Sequence, residues 1–182
     1  MGREASFELD CSDFSGSVTD FIKLLSSLGW SYYDDDNHAE YLPVGDRDSF
    51  DWQLGEITES GLYAIFDRKL RREETVGLVL YYRDTGHGIT LLAADTSEIL
   101  LIPNINRKTL DGDEDSVTDV NWYSEKIFQK LLWYDCGMVG FKFEEQSDSE
   151  TEDEEESGIA ELYEEPEKSE EKEEAEENEI SD

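Results

Sequence analysis

Apolar and polar residues are arranged in blocks along the first 146 residues, and the clearest blocks lie in the middle of the chain. Three apolar runs at residues 76–82, 89–94 and 99–102 are separated by clusters of Gly, Asp, Ser and Pro. Runs this short and this rich in Val, Ile, Leu and Tyr predict β-strands. Their connections are too short for a crossover helix, so we expect an antiparallel meander. None alternates cleanly, so we expect both faces of the sheet to be covered at its centre.

Helices are predicted on both sides of the meander. Ser17 and Asp20 have the spacing of a capping box, and the apolar residues that follow predict a helix that Gly29 ends. Apolar residues at helical spacing predict a second helix that starts between residues 51 and 60. It ends at the basic segment 68–72, where cations complement the helix dipole.

A third helix and several short strands complete the pattern. The helix is predicted from a Thr118 cap to about residue 134, with one apolar side formed by Val120, Tyr123, Ile127, Leu131 and Tyr134. Further strands are predicted at residues 6–11, 30–33, 41–44 and 138–143. The middle two flank an acidic loop at 34–38, and we expect them to pair as an edge hairpin.

This order of elements predicts an α+β domain over residues 1–146, with one mostly antiparallel sheet and helices packed on it. Residues 147–182 have a different composition, with 19 acidic and two basic side chains. Such a segment cannot bury enough apolar surface to offset the entropy lost on ordering. We therefore expect an acidic, low-complexity, disordered tail.

Charge restricts the classes of partner. The chain carries a formal net charge of −33, and residues 1–146 hold 29 acidic and 13 basic side chains, a net charge of −16. Direct binding to nucleic acid or to an anionic membrane requires clustered Lys and Arg, so neither is expected. Without an apolar run of membrane-spanning length or a signal pattern at the N-terminus, we predict a cytoplasmic protein with Cys11 and Cys136 reduced.

The sequence contains no recognisable catalytic motif: Gly-x-Ser-x-Gly, His-Glu-x-x-His, Cys-x-x-Cys and phosphate-binding glycine loops are all absent. His38 follows a run of aspartates that suits a divalent cation, but a solvated acidic turn is the favoured interpretation. Residues 111–115 begin like a calcium loop, which fails because Ser116 and Trp122 occupy its sixth and twelfth positions. We predict no enzyme activity, no cofactor and no metal site.

Two short polar and aromatic segments stand out, INRK at 105–108 and TDVNWY at 118–123. Together with GLVLYYRDTGHGITLL at 77–92, they resemble small cytosolic bacterial proteins of the immunity type, over roughly residues 70–145. The resemblance implies a protein that binds and neutralises a toxin domain, and it assigns a role to no individual residue. A structural interpretation competes, in which Asn and Thr satisfy turns and caps while Trp122 and Tyr123 pack.

The charge and the resemblance together predict an immunity protein or antitoxin whose folded core binds a basic toxin domain. Its carboxylates would take the places of substrate phosphates and steer association, which can raise rates by about 10–10³. The predicted partner-binding residues are the loop acids and two neighbours: Asp34, Asp35, Asp36, Asp46, Asp48, Asp51, Asp111, Asp113, Glu114, Asp115, Asn121 and Trp122.

Two alternatives come from other functional classes. One is an acidic chaperone or nucleic-acid mimic that holds basic proteins through the tail, with little selectivity among them. The other is a metal-dependent enzyme, which binding measurements with divalent cations would test. The sequence pattern predicts no particular oligomeric state.

Overall fold

One sheet and three helices make up the part of the chain that the computed structural model describes, residues 3–46, 49–113, 116–134, 137–138 and 140–147. The strands are β1 Arg3–Asp10, β2 Trp30–Ser31, β3 Ala39–Tyr41, β4 Gln53–Gly55, β5 Val76–Tyr82, β6 Gly88–Ala93, β7 Ile99–Ile105 and β8 Gly140–Ser147. The helices are α1 Val18–Ser27, α2 Glu59–Leu70 and α3, which runs through Val120–Tyr123, a π-helical turn Ser124–Phe128, and Gln129–Trp133.

The sheet has the order β4-β3-β5-β6-β7-β1-β8, with β2 also pairing to β5, and every described pairing is antiparallel. The predicted meander of β5, β6 and β7 is confirmed, with Leu78 opposite Leu91 and Leu91 opposite Leu101. The first strand lies between β7 and β8, which brings the two ends of the described chain together. The predicted α+β class, with one mostly antiparallel sheet, is confirmed.

All three helices pack on the same face of this sheet. Every second side chain of the central strands points toward them, as in Leu78, Leu91, Leu101 and Phe7, which are fully buried. The helices contribute Phe21, Ile22, Leu25, Leu62, Phe66, Tyr123, Ile127, Phe128 and Leu131 to the same cluster. Each large apolar side chain stabilises the fold by about 1.5–3 kcal/mol relative to its exposed state.

The opposite face, which we call the open face, carries the alternate residues of the same strands. Val79 and Thr90 are 3% and 5% exposed, but Leu92, Leu100 and Ile102 are only half-buried. At one end of this face the side chains of Leu42 and Trp52 lie over Gly77, where an added Cβ would be 2.5 Å from Leu42. The expectation that both faces are covered therefore holds only in part, because the described helices cover one face alone.

The predicted start of α1 is confirmed in atomic detail. The Ser17 hydroxyl accepts a hydrogen bond from the Asp20 amide at 3.2 Å, and the Asp20 carboxylate accepts one from the Ser17 amide at 3.1 Å. Gly29 follows the helix with a φ of +102°, a conformation that suits glycine. Local sequence chemistry thus determines both ends of this helix.

The start of α3 is one residue later than predicted. Its N-cap is Asp119 rather than Thr118, and the Asp119 carboxylate accepts from the Trp122 amide. Tyr123, Ile127 and Leu131 are buried as expected, whereas Tyr134 is 59% exposed. The helix ends at Trp133, so Tyr134 lies beyond the last turn that packs on the sheet.

The predicted edge hairpin is wrong. Both β2 and β3 pair with β5, with Trp30 opposite Tyr82 and Tyr41 opposite Leu78. The long strand β5 offers both segments backbone partners and a buried face, so the acidic loop between them lies along its edge. The predicted start of α2 is confirmed, because the helix begins at Glu59 after its Thr58 cap, within residues 51–60; the short strand β4 precedes it.

The last strand is longer than predicted. Eight residues of β8 pair with β1, from Gly140 opposite Asp10 to Ser147 opposite Arg3. The strand therefore reaches one residue into the segment assigned to the tail. Residues 148–182, for which the sequence predicted disorder, lie outside the described residues.

A buried ion pair fixes the loop between β3 and β4. The Lys69 side chain is fully buried, and its ammonium donates to the carbonyls of Pro43 (2.7 Å) and Asp46 (3.1 Å). Glu74, also buried, lies 3.8 Å from it and accepts from the Gly45 amide at 2.8 Å. The Gly45 N–H, followed by the Arg72 guanidinium, holds the pKa of Glu74 below its ordinary value.

Replacing Lys69 with Met should lower the free energy of unfolding by about 2–3 kcal/mol, because two carbonyls and the Glu74 carboxylate lose a buried partner. Lys23→Met is the matched control. Lys23 pairs with Asp20 at the surface of α1, so its loss should cost about 0.5 kcal/mol. Urea unfolding of both variants measures the loss of unfolding free energy, and equal losses in the two variants would contradict a structural role for the buried pair.

Asp20 should make the stability depend on acid pH. The Ser17 amide, then Lys23, lower its pKa from 3.8 to about 2. The stabilisation is therefore complete above the unfolded-state pKa and is lost as pH falls through the folded-state pKa. Asp20 is half exposed, so solvent screening reduces its contribution, and urea unfolding at about pH 6 should show Asp20→Asn less stable by about 0.5–1 kcal/mol. This difference in unfolding free energy should narrow toward about pH 2. A constant difference would contradict the pKa shift.

Candidate functional site

The acidic residues predicted to bind a partner lie in three separate loops. Asp34, Asp35 and Asp36 lie between β2 and β3, beside the middle of β5; Asp46 and Asp51 lie near its beginning; Asp111 and Asp113 lie beyond the end of β7. Asp48, Glu114 and Asp115 are outside the described residues. The fold does not bring these loops into one site, because different strand ends carry them.

One carboxylate in each loop stabilises the loop itself. Asp34 accepts from the amides of Asp36 (3.0 Å) and His38 (2.7 Å). Asp46 likewise accepts from three amides, those of Ser49, Phe50 and Asp51. In the third loop, a hydrogen bond from the Ser116 hydroxyl lowers the pKa of Asp111. Asp35, Asp36, Asp51, Asp111 and Asp113 are exposed in the described parts of these loops.

The arrangement around His38 is that of a turn. Its Nδ1 lies 3.9 Å from an Asp34 oxygen, while the other Asp34 oxygen accepts backbone amides. Within the described ranges, no three His, Cys, Asp or Glu side chains form a group that could hold a metal ion. No described helix has the length and apolar character needed to cross a membrane.

Trp122 belongs to an aromatic cluster between α3 and the end of the meander. Its ring meets those of Tyr123, His87 and Tyr82 edge-on, with centroids 4.9, 5.3 and 5.4 Å away. The side chain is half-buried, and Asn121 beside it is exposed. These contacts favour the structural interpretation of Trp122, which leaves Asn121 as the accessible polar group of this segment.

The acidic tip at residues 111–113 is anchored to the last strand. Arg107 donates to Glu145 at 2.7 Å, and the amide and hydroxyl of Thr118 donate to the same oxygen at 3.0 and 2.7 Å. Arg107 also donates to the Ser116 carbonyl at 3.1 Å. The Arg107 and Glu145 side chains are only 10% and 9% exposed. This cluster holds both arms of the segment 106–119 against β8.

The borders of the open face carry the acidic residues that sequence reasoning missed. On the β1 and β8 side the side chains are Glu4, Glu8, Asp10, Glu144 and one base, Lys142. On the β3 side, Glu40 lies close to Tyr81, together with Asp34 and Asp35. Burial raises the pKa of Tyr81, and the negative charges of these three carboxylates raise it further.

The open face is therefore an apolar strip between two acidic borders. Leu92, Leu100 and Ile102 form the strip on β6 and β7, beside Val79 of β5, which is 3% exposed. A groove of about 660 Å³ continues it toward Arg3 and Arg107, with Glu4, Asn104 and Glu144 in its lining. The acidic residues at alternate positions within residues 4–10 were visible in the sequence. Only the sheet order shows that they border the open face.

No protein-family model, curated protein or solved structure matches the chain. The geometry and charge of its surface therefore carry the functional proposal.

The anchor of the acidic tip is testable by hydrogen exchange. Glu145→Ala should increase amide exchange at Leu110, Thr118 and Asp119 by about tenfold, because the segment 106–119 loses its link to β8. Glu144→Ala is the matched control, since Glu144 is exposed and belongs to the opposite face of the same strand. Equal exchange in the two variants, measured by NMR, would show that Glu145 does not hold the tip.

Proposed function

We propose that this protein is an acidic binding protein that neutralises a basic partner protein through its folded core, as an immunity protein or antitoxin does. The observation that supports this most is the open face, where a half-buried apolar strip lies between the carboxylates of β1 and β8 on one side and Glu40 of β3 on the other. An apolar centre with a polar rim is the common anatomy of a protein–protein interface.

Charge determines what this surface attracts. Its borders, Glu4, Glu8, Asp10, Glu40 and Glu144, contain five carboxylates and the single ammonium of Lys142. At physiological salt, charges are screened beyond roughly 8 Å, so residues near the contact govern affinity while the remainder adds steering. A surface of this kind favours a partner rich in Lys and Arg.

The proposed partner is a toxin domain with a cationic active surface. The resemblance of residues 77–92, 105–108 and 118–123 to immunity-type proteins supports this choice. The exposed acids of the three loops, Asp35, Asp36, Asp51, Asp111 and Asp113, add further negative charge to the surface of the folded core. In this proposal the protein acts in the cytoplasm, where it binds the toxin domain before the toxin binds its substrate.

The test compares the full chain with a chain ending at Ser147. The probe is the basic domain encoded by an adjacent reading frame. Binding through the core predicts that removal of residues 148–182 weakens affinity by less than about tenfold and mainly slows association. Calorimetry and stopped-flow kinetics measure the two quantities.

Complete loss of binding on truncation, with the isolated segment 148–182 retaining it, would contradict the core-centred function and favour an acidic chaperone. Circular dichroism of the truncated chain is the control for folding. A second control is an acidic protein of similar size, which should not bind.

A further inference from the structure

We infer that the open face receives a basic, amphipathic α-helix of the partner. This inference rests on the proposed function and specifies the segment of the partner that is recognised. The candidate surface is the strip of Leu92, Leu100 and Ile102 on β6 and β7, with its acidic borders.

The dimensions of the strip fit a helix. Adjacent strands lie about 4.8 Å apart, so β1 and β3, which carry Glu8 and Glu40, are about 19 Å apart, and the strip on β6 and β7 lies between them. An α-helix with its side chains is about 10–12 Å wide. It therefore fits over the strip, and Lys or Arg side chains on its two sides extend to the borders.

The chemistry of the two faces of the sheet supports the same occupant. The described helices cover one face with apolar residues at helical spacing, and a helix from a partner would cover the other face in the same way. Such a helix needs large aliphatic residues facing Leu92, Leu100 and Ile102. It needs cations near Glu8 on one border and Glu40 on the other.

Like charge argues against the two occupants that the chain itself could supply. The mostly apolar residues 159–163, which include Glu161, lie within a segment with 19 acidic side chains, which the borders would repel. A second copy brings the same acidic borders and a net charge of −33. A cationic helix is the occupant that both the apolar strip and its borders attract.

The experiment uses the full chain and a peptide of leucine and lysine, about 18 residues or roughly 27 Å long as a helix. Its leucines follow the spacing i, i+3, i+4, i+7, and a shuffled peptide of the same composition is the control probe. Calorimetry at about 0.15 M salt should show the amphipathic peptide binding at least about tenfold more tightly. Equal affinity for the two peptides would overturn the inference.

Variants of the chain then locate the contact. Glu8→Gln/Glu40→Gln should weaken binding of the amphipathic peptide by about tenfold. Glu125→Gln/Glu73→Gln makes the same change of charge at exposed positions off the open face, and should change affinity by less than about twofold. Equal effects in the two double variants would overturn the assigned surface.

The apolar strip has its own pair of variants. Ile102→Thr keeps a β-branched side chain in the strand and should weaken peptide binding about threefold to tenfold. Val117→Thr, at a 41% exposed position outside the strip, is the control and should have little effect. NMR spectra of each variant establish that the fold is retained.

Three further outcomes distinguish the occupants. Tightening of peptide binding by more than tenfold on removal of residues 148–182 would identify the chain's own tail as the occupant and overturn the inference. A dimer that Ile102→Thr dissociates would overturn it in favour of a second copy. A basic toxin domain that binds equally well to wild type and Glu8→Gln/Glu40→Gln would overturn the surface while leaving the proposed function intact.

Discussion

Leu78, Leu91 and Leu101 lie side by side on neighbouring strands, each fully buried beneath the helices. Because side chains alternate along a strand, this register sends Val79, Leu92, Leu100 and Ile102 to the other face of the sheet. A shift by one residue would exchange the two sets. The same interaction that forms the core therefore determines that Leu92, Leu100 and Ile102 remain partly exposed on the open face, where Val79 is buried.

Some of the scarce cations of the folded part serve internal structure. Lys69 is fully buried against Glu74 and two carbonyls, while Arg107 is bound to Glu145 and the Ser116 carbonyl. Each fixes a loop that carries carboxylates. Each of these cations is paired with a buried carboxylate, so the net charge of −16 over residues 1–146 remains on the other side chains of the folded part, which an approaching partner meets.

The carboxylates have a double use that explains their clustering in loops. Asp34 and Asp46 bind the backbone amides of their own turns, which replaces hydrogen bonds that the sheet does not supply. Their neighbours Asp35 and Asp51 remain exposed. Rigid loops of this kind present charge with little loss of entropy on binding, which favours a specific partner over general attraction.

Local sequence patterns were sufficient to predict the secondary-structure elements that local interactions determine. The meander follows from three apolar runs with short connections, and α1 follows from its capping box and from Gly29. The high content of acidic residues in the three loops was also evident from the sequence. The acidic character of the whole surface, and hence the class of partner proposed, depends on charge alone.

Tertiary structure decided what depends on residues far apart in the chain. The pairing of β1 with β8 brings residues 3–10 against 140–147, and the pairing of β2 and β3 with β5 replaces the expected hairpin. Burial of Lys69 and the packing of Trp122 depend on partners that no local spacing indicates. The open face arises in the same way, because its apolar strip and acidic borders come from strands that only the sheet makes neighbours.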